Sequence, residues 1–260
     1  MKRILALKEE ALDALHGNFG KAALATLGMA IISAAISYSI KLIGGMDIMD
    51  YIDAVSEGDF AGMMESIGGN AYASLLQLLI SILFTVPFTV GVINTFRMLV
   101  QSKGSDNKLF ANFFKIGFGR HYLHVVLVSF VSGLLIGLII APVVLILILV
   151  IIMFHNIAVT LILALVTLVY AIWIGLMYSQ ISFIVIDNPE LDILDTMRRS
   201  RNLMDGSKWR FFVLEISFIG WIFLGIFTLA IGYLWLLPYV YSTEAAFYCD
   251  LRDAEKVEQA

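Results

Sequence analysis

The chain has little charge and a single cysteine. Of its 260 residues, 15% are charged and 60% are hydrophobic, whereas an ordinary soluble domain is about 25% charged and about 45–50% apolar. Cys249 stands alone, so an internal disulfide and a cysteine-based zinc site are excluded. The mean hydropathy of +0.90 is typical of a membrane protein.

The sequence also lacks the alternation of polar and apolar residues that marks the strands of a membrane barrel. Its apolar residues instead form long runs, and about 20 apolar residues suffice for one helix to cross the hydrocarbon core. We therefore predict an all-α, polytopic membrane bundle that forms one domain over residues 1–260. Six spans are expected, at about 22–43, 73–99, 122–153, 157–186, 211–229 and 233–250.

Motifs for catalysis and cofactor binding are missing. The chain contains no glycine-rich nucleotide loop, serine elbow, HExxH or paired-cysteine motif. We expect no enzyme, no cofactor and no nucleic-acid binding. His121 and His124 could share a helix face toward a metal, but no third ligand is near in sequence, so the expected metal set is none. Asp47, Asp50 and Asp53 share a spacing of three, and a solvated acidic face is the simpler interpretation.

Basic and acidic residues are concentrated in different parts of the sequence. Of the 17 lysines and arginines, 16 fall at the two ends of the chain or within 97–120 and 198–210. The loop 44–70 carries six acidic residues and no basic one. Since positive charge favours the cytoplasmic side, both termini are predicted to be cytoplasmic and the acidic loop extracytoplasmic. Residues 2–16 read as an amphipathic helix in the membrane interface rather than a cleavable signal peptide.

Glycine-aromatic-basic elbows precede three helical hairpins. The three stretches read LDALHGNFGKAAL, NFFKIGFGRHYL and NLMDGSKWRFF, with glycines at 17, 117 and 206. They indicate either an internal repeat, as in many transport folds, or only that each cytoplasmic elbow requires a glycine to end the helix and a basic, aromatic anchor at the membrane interface. Before the last elbow, Asp187 or Asn188 is predicted to cap a short helix that ends at Gly206, with Asp195 spaced to pair with Arg198 and Arg199.

A polar layer is predicted near the cytoplasmic end of the bundle. At about 1.5 Å per helical residue, the polar side chains inside the spans lie at a similar depth. We expect Arg97 to meet Glu215 or Glu244, since an intramembrane charge is costly without a partner. The layer is either a proton-coupled or headgroup-binding site or an ion-pair knot that holds the helices in register. Its members are Asn94, Arg97, Gln180, Glu215 and Glu244.

A second set of candidates consists of basic and aromatic residues beside the last two spans. Anionic headgroups attract basic side chains at the membrane surface, although topology alone already requires most of these charges. The candidate headgroup contacts are Arg198, Arg199, Arg201, Lys208, Trp209 and Arg210.

The C-terminal stretch resembles a bacterial family of integral membrane proteins, the one named domain of unknown function 975. The resemblance rests on MDGSKWRFF, LEISFIGW and YLWLLPYVYSTEAAFY, and on the opening LKEEALDALHGNFGKA. Ala230 departs from the glycine expected there. The family is distantly similar to the membrane domain of some glycerophosphodiester phosphodiesterases. This implies a bacterial cytoplasmic membrane location and lipid-related work, without catalytic residues.

Two functions follow from these patterns. The first is a non-enzymatic envelope accessory protein with membrane lipids as partners. The second is a small transporter or permeation pathway that uses the polar layer. A protein partner or a second copy of the chain is left open.

Overall fold

Helices make up nearly all of the part of the chain that can be described. The structure is a computed structural model that describes residues 1–42, 75, 79–105, 119, 121–154, 156–228 and 231–258. A π turn, Ser81–Thr85, leads into the third helix. The helices are α1 (Ile4–Leu15), α2 (Phe19–Leu42), α3 (Val86–Gln101), α4 (Tyr122–Phe154), α5 (Ile157–Tyr178), α6 (Ile181–Asp187), α7 (Ile193–Leu203), α8 (Lys208–Phe227) and α9 (Tyr233–Glu258). The predicted all-α membrane bundle is confirmed.

Five stretches of the described chain are long and apolar enough to cross a membrane: Phe19–Ile36, Ile82–Gln101, Tyr122–Met153, Ile157–Asp187 and Lys208–Phe227. They fall on the first five predicted spans. The sixth, α9, has 26 residues but is less apolar, because it carries Glu244, Asp250 and further charges. The count of six crossings therefore stays a prediction.

The α4–α5 hairpin presents most of its apolar surface outward. Of the residues in the most apolar stretches of the spans Tyr122–Met153 and Ile157–Asp187, 0% and 6% are buried inside the protein. This suits helices that are surrounded by lipid. Asn156 caps α5, where the turn between the two spans was predicted, and accepts hydrogen bonds from the backbone N–H groups of Ala158 and Val159 at 3.0 and 3.3 Å. Pro142 lies inside α4 without ending it.

The core forms around α9. Helices α1, α2, α3 and α8 all pack against it, and Phe96 of α3 stacks on Tyr241 with 5.7 Å between ring centroids. Tyr248 is fully buried and stacks on Phe183 of α6 at 4.9 Å. The bundle thus buries the end of α9 that follows Tyr241, and leaves the α4–α5 hairpin exposed.

Helix α1 packs against protein instead of lying only in the membrane interface. Its residues Leu7, Ala11, Ala14 and Leu15 are buried against α9 and α3. A Cβ atom at Gly104 would lie 2.8 Å from the backbone oxygen of Ala14, so the approach of α1 to the end of α3 requires glycine. The predicted helix is present at Ile4–Leu15, and its buried side chains are directed into the bundle.

The segment that joins α5 to α8 differs from its prediction in one respect. Asp187 ends α6 and does not cap the next helix, since α7 begins at Ile193 with Asp192 in the capping position. The predicted stop at Gly206 is confirmed, because this residue has φ +70°, a conformation that favours glycine. The acidic loop 44–70, the elbow at Gly117, His155 and Ala230 lie outside the described residues.

Candidate functional site

Arg97 and Asp187 form the centre of a buried ionic cluster. The Arg97 guanidinium pairs with the Asp187 carboxylate, and the two side chains are only 9% and 13% exposed. Arg97 also donates to Asn94 Oδ1 at 3.1 Å. The other carboxylate oxygen, Asp187 Oδ2, accepts from the Tyr248 hydroxyl at 2.8 Å and from Arg252 at 3.1 Å. One carboxylate thus joins α3, α6 and α9.

This arrangement corrects the predicted partner of Arg97. Neither Glu215 nor Glu244 has an ion pair among the described residues. The sequence signal for Asp187 was its position at the end of an apolar run, which was assigned to helix capping instead. Depth along separate helices cannot show which side chains face each other, so Asp187, Tyr248 and Arg252 were missed.

Glu215 of α8 and Glu244 of α9 interact electrostatically. The Glu215 Oε1 atom is buried and has no hydrogen-bond partner among the described residues. Gln180 is fully buried beside the break between α5 and α6, where it donates to the Ser179 hydroxyl at 2.8 Å. The predicted layer therefore holds an Arg97–Asn94 contact and a glutamate pair, but no contact between arginine and glutamate.

A second buried cluster holds the N-terminal segment. The Asp250 carboxylate, 8% exposed, accepts from the backbone N–H of Lys2, with each oxygen 3.0 Å from the nitrogen. It also pairs with Arg210, whose guanidinium lies 4.6 Å from the centre of the Phe247 ring. Arg210, a predicted headgroup contact, is thus held by Asp250 and Phe247.

The other candidate headgroup contacts divide by exposure. Arg199 pairs with Glu255 at 3.1 Å. Lys208 pairs with Asp205 at 3.3 Å and lies over the Trp173 ring. The exposed residues are Arg198, Arg201 and Trp209, the last with 72% of its surface exposed.

Arg198 and Arg201 line one groove. They project from α7 onto a space of about 370 Å³ that is completed by Leu135, Leu138 and Ile139 of α4, by Tyr178, and by Leu194 and Met197 of α7. Arg198 also keeps its predicted pair with Asp195, at 2.9 Å and with both side chains exposed. This space is called the α4–α7 groove. It joins two exposed cations to the apolar surface of a lipid-facing helix.

The described residues contain no group of three or more histidine, cysteine or acidic side chains that could hold a metal ion. His124 Nε2 is buried and has no hydrogen-bond partner in the part of the chain that the structure describes.

Comparison with known proteins identifies one matching family. A family model described as "Protein of unknown function (DUF975)" matches residues 1–255. No curated protein and no solved structure matches the chain. The matched range covers both ionic clusters, the glutamate pair and the α4–α7 groove.

Proposed function

The chain belongs to the DUF975 family of proteins of unknown function, and we propose that this member is a non-enzymatic membrane protein that binds anionic phospholipid. The α4–α7 groove is the proposed site. The proposed location of the groove is the cytoplasmic face of a bacterial cytoplasmic membrane, with both chain termini on that side, and the distribution of lysine and arginine along the sequence supports it.

The observation that carries the proposal is the joining of charge and apolar surface in this groove. Arg198 and Arg201 stand on the exposed side of an amphipathic helix, next to Leu135 and Leu138 of α4, a helix whose most apolar stretch has no residue buried inside the protein. A phospholipid has the same division, with a phosphate at one end and acyl chains at the other. The two arginines are arranged to hold the phosphate while a chain lies along α4.

The energetics favour an anionic over a zwitterionic lipid. Each basic side chain near an anionic membrane surface contributes about 1 kcal/mol of attraction. Arg198 is partly neutralised by Asp195 at 2.9 Å, whereas Arg201 has no ion pair among the described residues. Arg201 is therefore the stronger contributor, and Arg198 adds a directional hydrogen bond.

We also propose a distant relationship to the membrane domain of some glycerophosphodiester phosphodiesterases, which would agree with a lipid-related role in the bacterial envelope. The proposed relationship carries no catalytic residues to this chain. The proposed role is therefore that of an accessory protein that recognises membrane lipid and does not convert it.

Native mass spectrometry of the delipidated protein tests this proposal. Phosphatidylglycerol and phosphatidylcholine are titrated separately, and the bound lipids are counted for each variant. We expect the double variant R198Q/R201Q to weaken phosphatidylglycerol binding by about tenfold or more, from two charges at about 1 kcal/mol each. The matched control R3Q/K256Q removes two exposed positive charges that do not line the groove, and it should bind as the wild type does.

The proposal fails if R198Q/R201Q retains phosphatidylglycerol as strongly as R3Q/K256Q does. It also fails if phosphatidylcholine binds as tightly as phosphatidylglycerol to the wild-type protein.

A second candidate function, transport, rests on the glutamate pair. Glu215 and Glu244 interact with each other and lack a basic partner among the described residues, and Glu215 Oε1 has no hydrogen bond. Two like charges that interact repel each other, so a proton or cation that binds between them is stabilised. Such a site inside a helical bundle suits a proton permeation pathway.

Proteoliposomes distinguish this second candidate. With a potassium diffusion potential imposed, a proton pathway should acidify the lumen above the rate of empty liposomes, and E215Q/E244Q should abolish the difference. Equal rates for the wild-type protein and empty liposomes contradict uncoupled proton permeation through the glutamate pair.

A further inference from the structure

Asp195 stands at the charged edge of the α4–α7 groove. It lies three residues before Arg198 on α7, and residues three apart on a helix are neighbours on its surface. The Asp195 carboxylate is 2.9 Å from the Arg198 guanidinium, and both side chains are more than half exposed. A lipid phosphate that Arg198 holds in this groove is therefore also near a carboxylate.

The groove carries a small net positive charge. Arg198 and Arg201 are its charged lining residues, and the Tyr178 hydroxyl is the other polar group that lines it in the part of the chain that the structure describes. Asp195 balances one of the two arginines. The site is therefore matched in charge to a headgroup that carries one negative charge.

The number of negative charges separates two classes of anionic phospholipid. A phosphodiester, such as phosphatidylglycerol, carries one negative charge. A phosphomonoester, such as phosphatidic acid, carries about 1.5 to 2 negative charges at neutral pH, because its second ionisation has a pKa of about 6. The Coulomb energy is proportional to the charge of the ligand, so a carboxylate near the phosphate disfavours the phosphomonoester more than the phosphodiester.

We propose that Asp195 determines the headgroup specificity of the α4–α7 groove. This inference rests on the lipid binding proposed above and goes beyond it, since it names phosphodiester lipids as the class to which the site is matched. Two unpaired arginines would favour the more highly charged phosphomonoester, and the Asp195 carboxylate removes part of that advantage. Asp195 acts through its charge beside Arg198 and does not line the groove itself.

The test compares phosphatidic acid with phosphatidylmethanol of the same acyl chains. The two lipids differ by one methyl group on the phosphate, so the first is a phosphomonoester and the second is a phosphodiester. Each lipid is titrated at neutral pH against the delipidated, full-length protein, and the bound lipids are counted by native mass spectrometry. We expect D195N to strengthen the binding of phosphatidylmethanol about threefold, as is typical of an exposed charge pair. The binding of phosphatidic acid should become about tenfold stronger, since the effect scales with the charge of the headgroup.

Two variants serve as controls for this comparison. D205N removes an acidic residue that is 85% exposed and pairs with Lys208, so both affinities should stay as they are in the wild type. D195E keeps a carboxylate at position 195 and should keep the wild-type ratio of the two affinities. A loosening of α7 in D195N would weaken both lipids alike and would leave that ratio unchanged.

The ratio of the two affinities decides the outcome. The inference is overturned if this ratio is the same in D195N as in D205N while R198Q/R201Q still weakens the binding of both lipids. If R198Q/R201Q weakens neither lipid, the α4–α7 groove is not the binding site, and the proposed function fails together with this inference. The two failures therefore give different results in the same titration.

Discussion

Arg97 and Asp187 lie 90 residues apart in the chain and form one buried ion pair. Their pairing joins the end of α3 to the end of α6, and Asp187 continues the connection to Tyr248 and Arg252 on α9. Both side chains are nearly removed from solvent. An ion pair in such a setting is costly to break, because the remaining charge has no water to replace its partner.

Removal of one partner should therefore destabilise the bundle strongly. We expect R97Q and D187N each to lower the free energy of unfolding by about 3–5 kcal/mol, the range for a broken buried pair. The measurement is thermal or denaturant unfolding in detergent. D195N is the matched control, since it removes the exposed partner of Arg198 and should cost less than about 1 kcal/mol. Similar losses for D187N and D195N would contradict the central position of Asp187.

Asp250 should control the order of the N-terminal segment. Its carboxylate holds the Lys2 backbone N–H and Arg210 together. D250N removes the charge that both donors share, so α1 should loosen from α9. We expect faster hydrogen exchange within Ile4–Leu15 and faster tryptic cleavage near Arg3. D205N serves as the control, because Asp205 is 85% exposed. Unchanged exchange in D250N would show that α1 packs without this anchor.

Lys8 should make the free energy of unfolding increase as the pH rises toward 10.5. Burial lowers its folded-state pKa below 10.5, so between the two values the unfolded chain binds more protons than the folded one. Its contribution is therefore unfavourable at neutral pH and is relieved as the pH rises toward 10.5. In lipid-free detergent, K8Q should stabilise the protein at pH 7, by less than about 1 kcal/mol for a partly exposed group.

The matched comparison is K2Q, since the raised pKa of Lys2 gives the opposite sign. The contribution of Lys2 is present below 10.5 and is lost as the pH rises through its higher folded-state pKa. A neutral-pH destabilisation by K8Q would show that the ammonium has a partner inside the protein.

The topology can be tested with single cysteines. Cys249 is buried, so a C249S background allows one new cysteine at a time to be labelled in intact cells. Cysteines at position 4, in the tail near 257 and in the turn at 205 should be protected from a membrane-impermeant maleimide. A cysteine within 44–70 should react. Labelling at position 257 in intact cells would contradict an even number of crossings with a cytoplasmic N-terminus.

The fold was predictable wherever local chemistry decides it. Long apolar runs marked both ends of α4 and the start of α5 to within a few residues, whereas the break after Tyr178 was not predicted. Gly206 was recognised as a helix stop, and it has the positive φ that favours glycine. The crossing assigned to α9 is harder to recognise, since Glu244 and Asp250 lower its hydropathy. The partners of these two carboxylates depend on how the bundle packs. Asp250 pairs with Arg210, whereas Glu244 has no ion pair among the described residues.

The candidate site was less predictable, because its contacts join distant parts of the chain. Arg97 was recognised as an intramembrane charge that needs a partner, but the choice among Asp187, Glu215 and Glu244 depends on how α3, α6 and α9 face each other. The sequence predicted the charged side of the α4–α7 groove, since Arg198 and Arg201 were candidate headgroup contacts. Its apolar wall, Leu135 and Leu138, could not be linked to them by sequence spacing.

The most direct test of the lipid-binding account is photocrosslinking with phosphatidylglycerol that carries a diazirine in one acyl chain. The protein is reconstituted with this lipid, irradiated and digested, and the labelled residues are located by mass spectrometry. We predict crosslinks at Leu135, Leu138 or Ile139 that R198Q/R201Q reduces and R3Q/K256Q does not. Uniform labelling along the exposed faces of α4 and α5, unchanged in R198Q/R201Q, would contradict a specific lipid site.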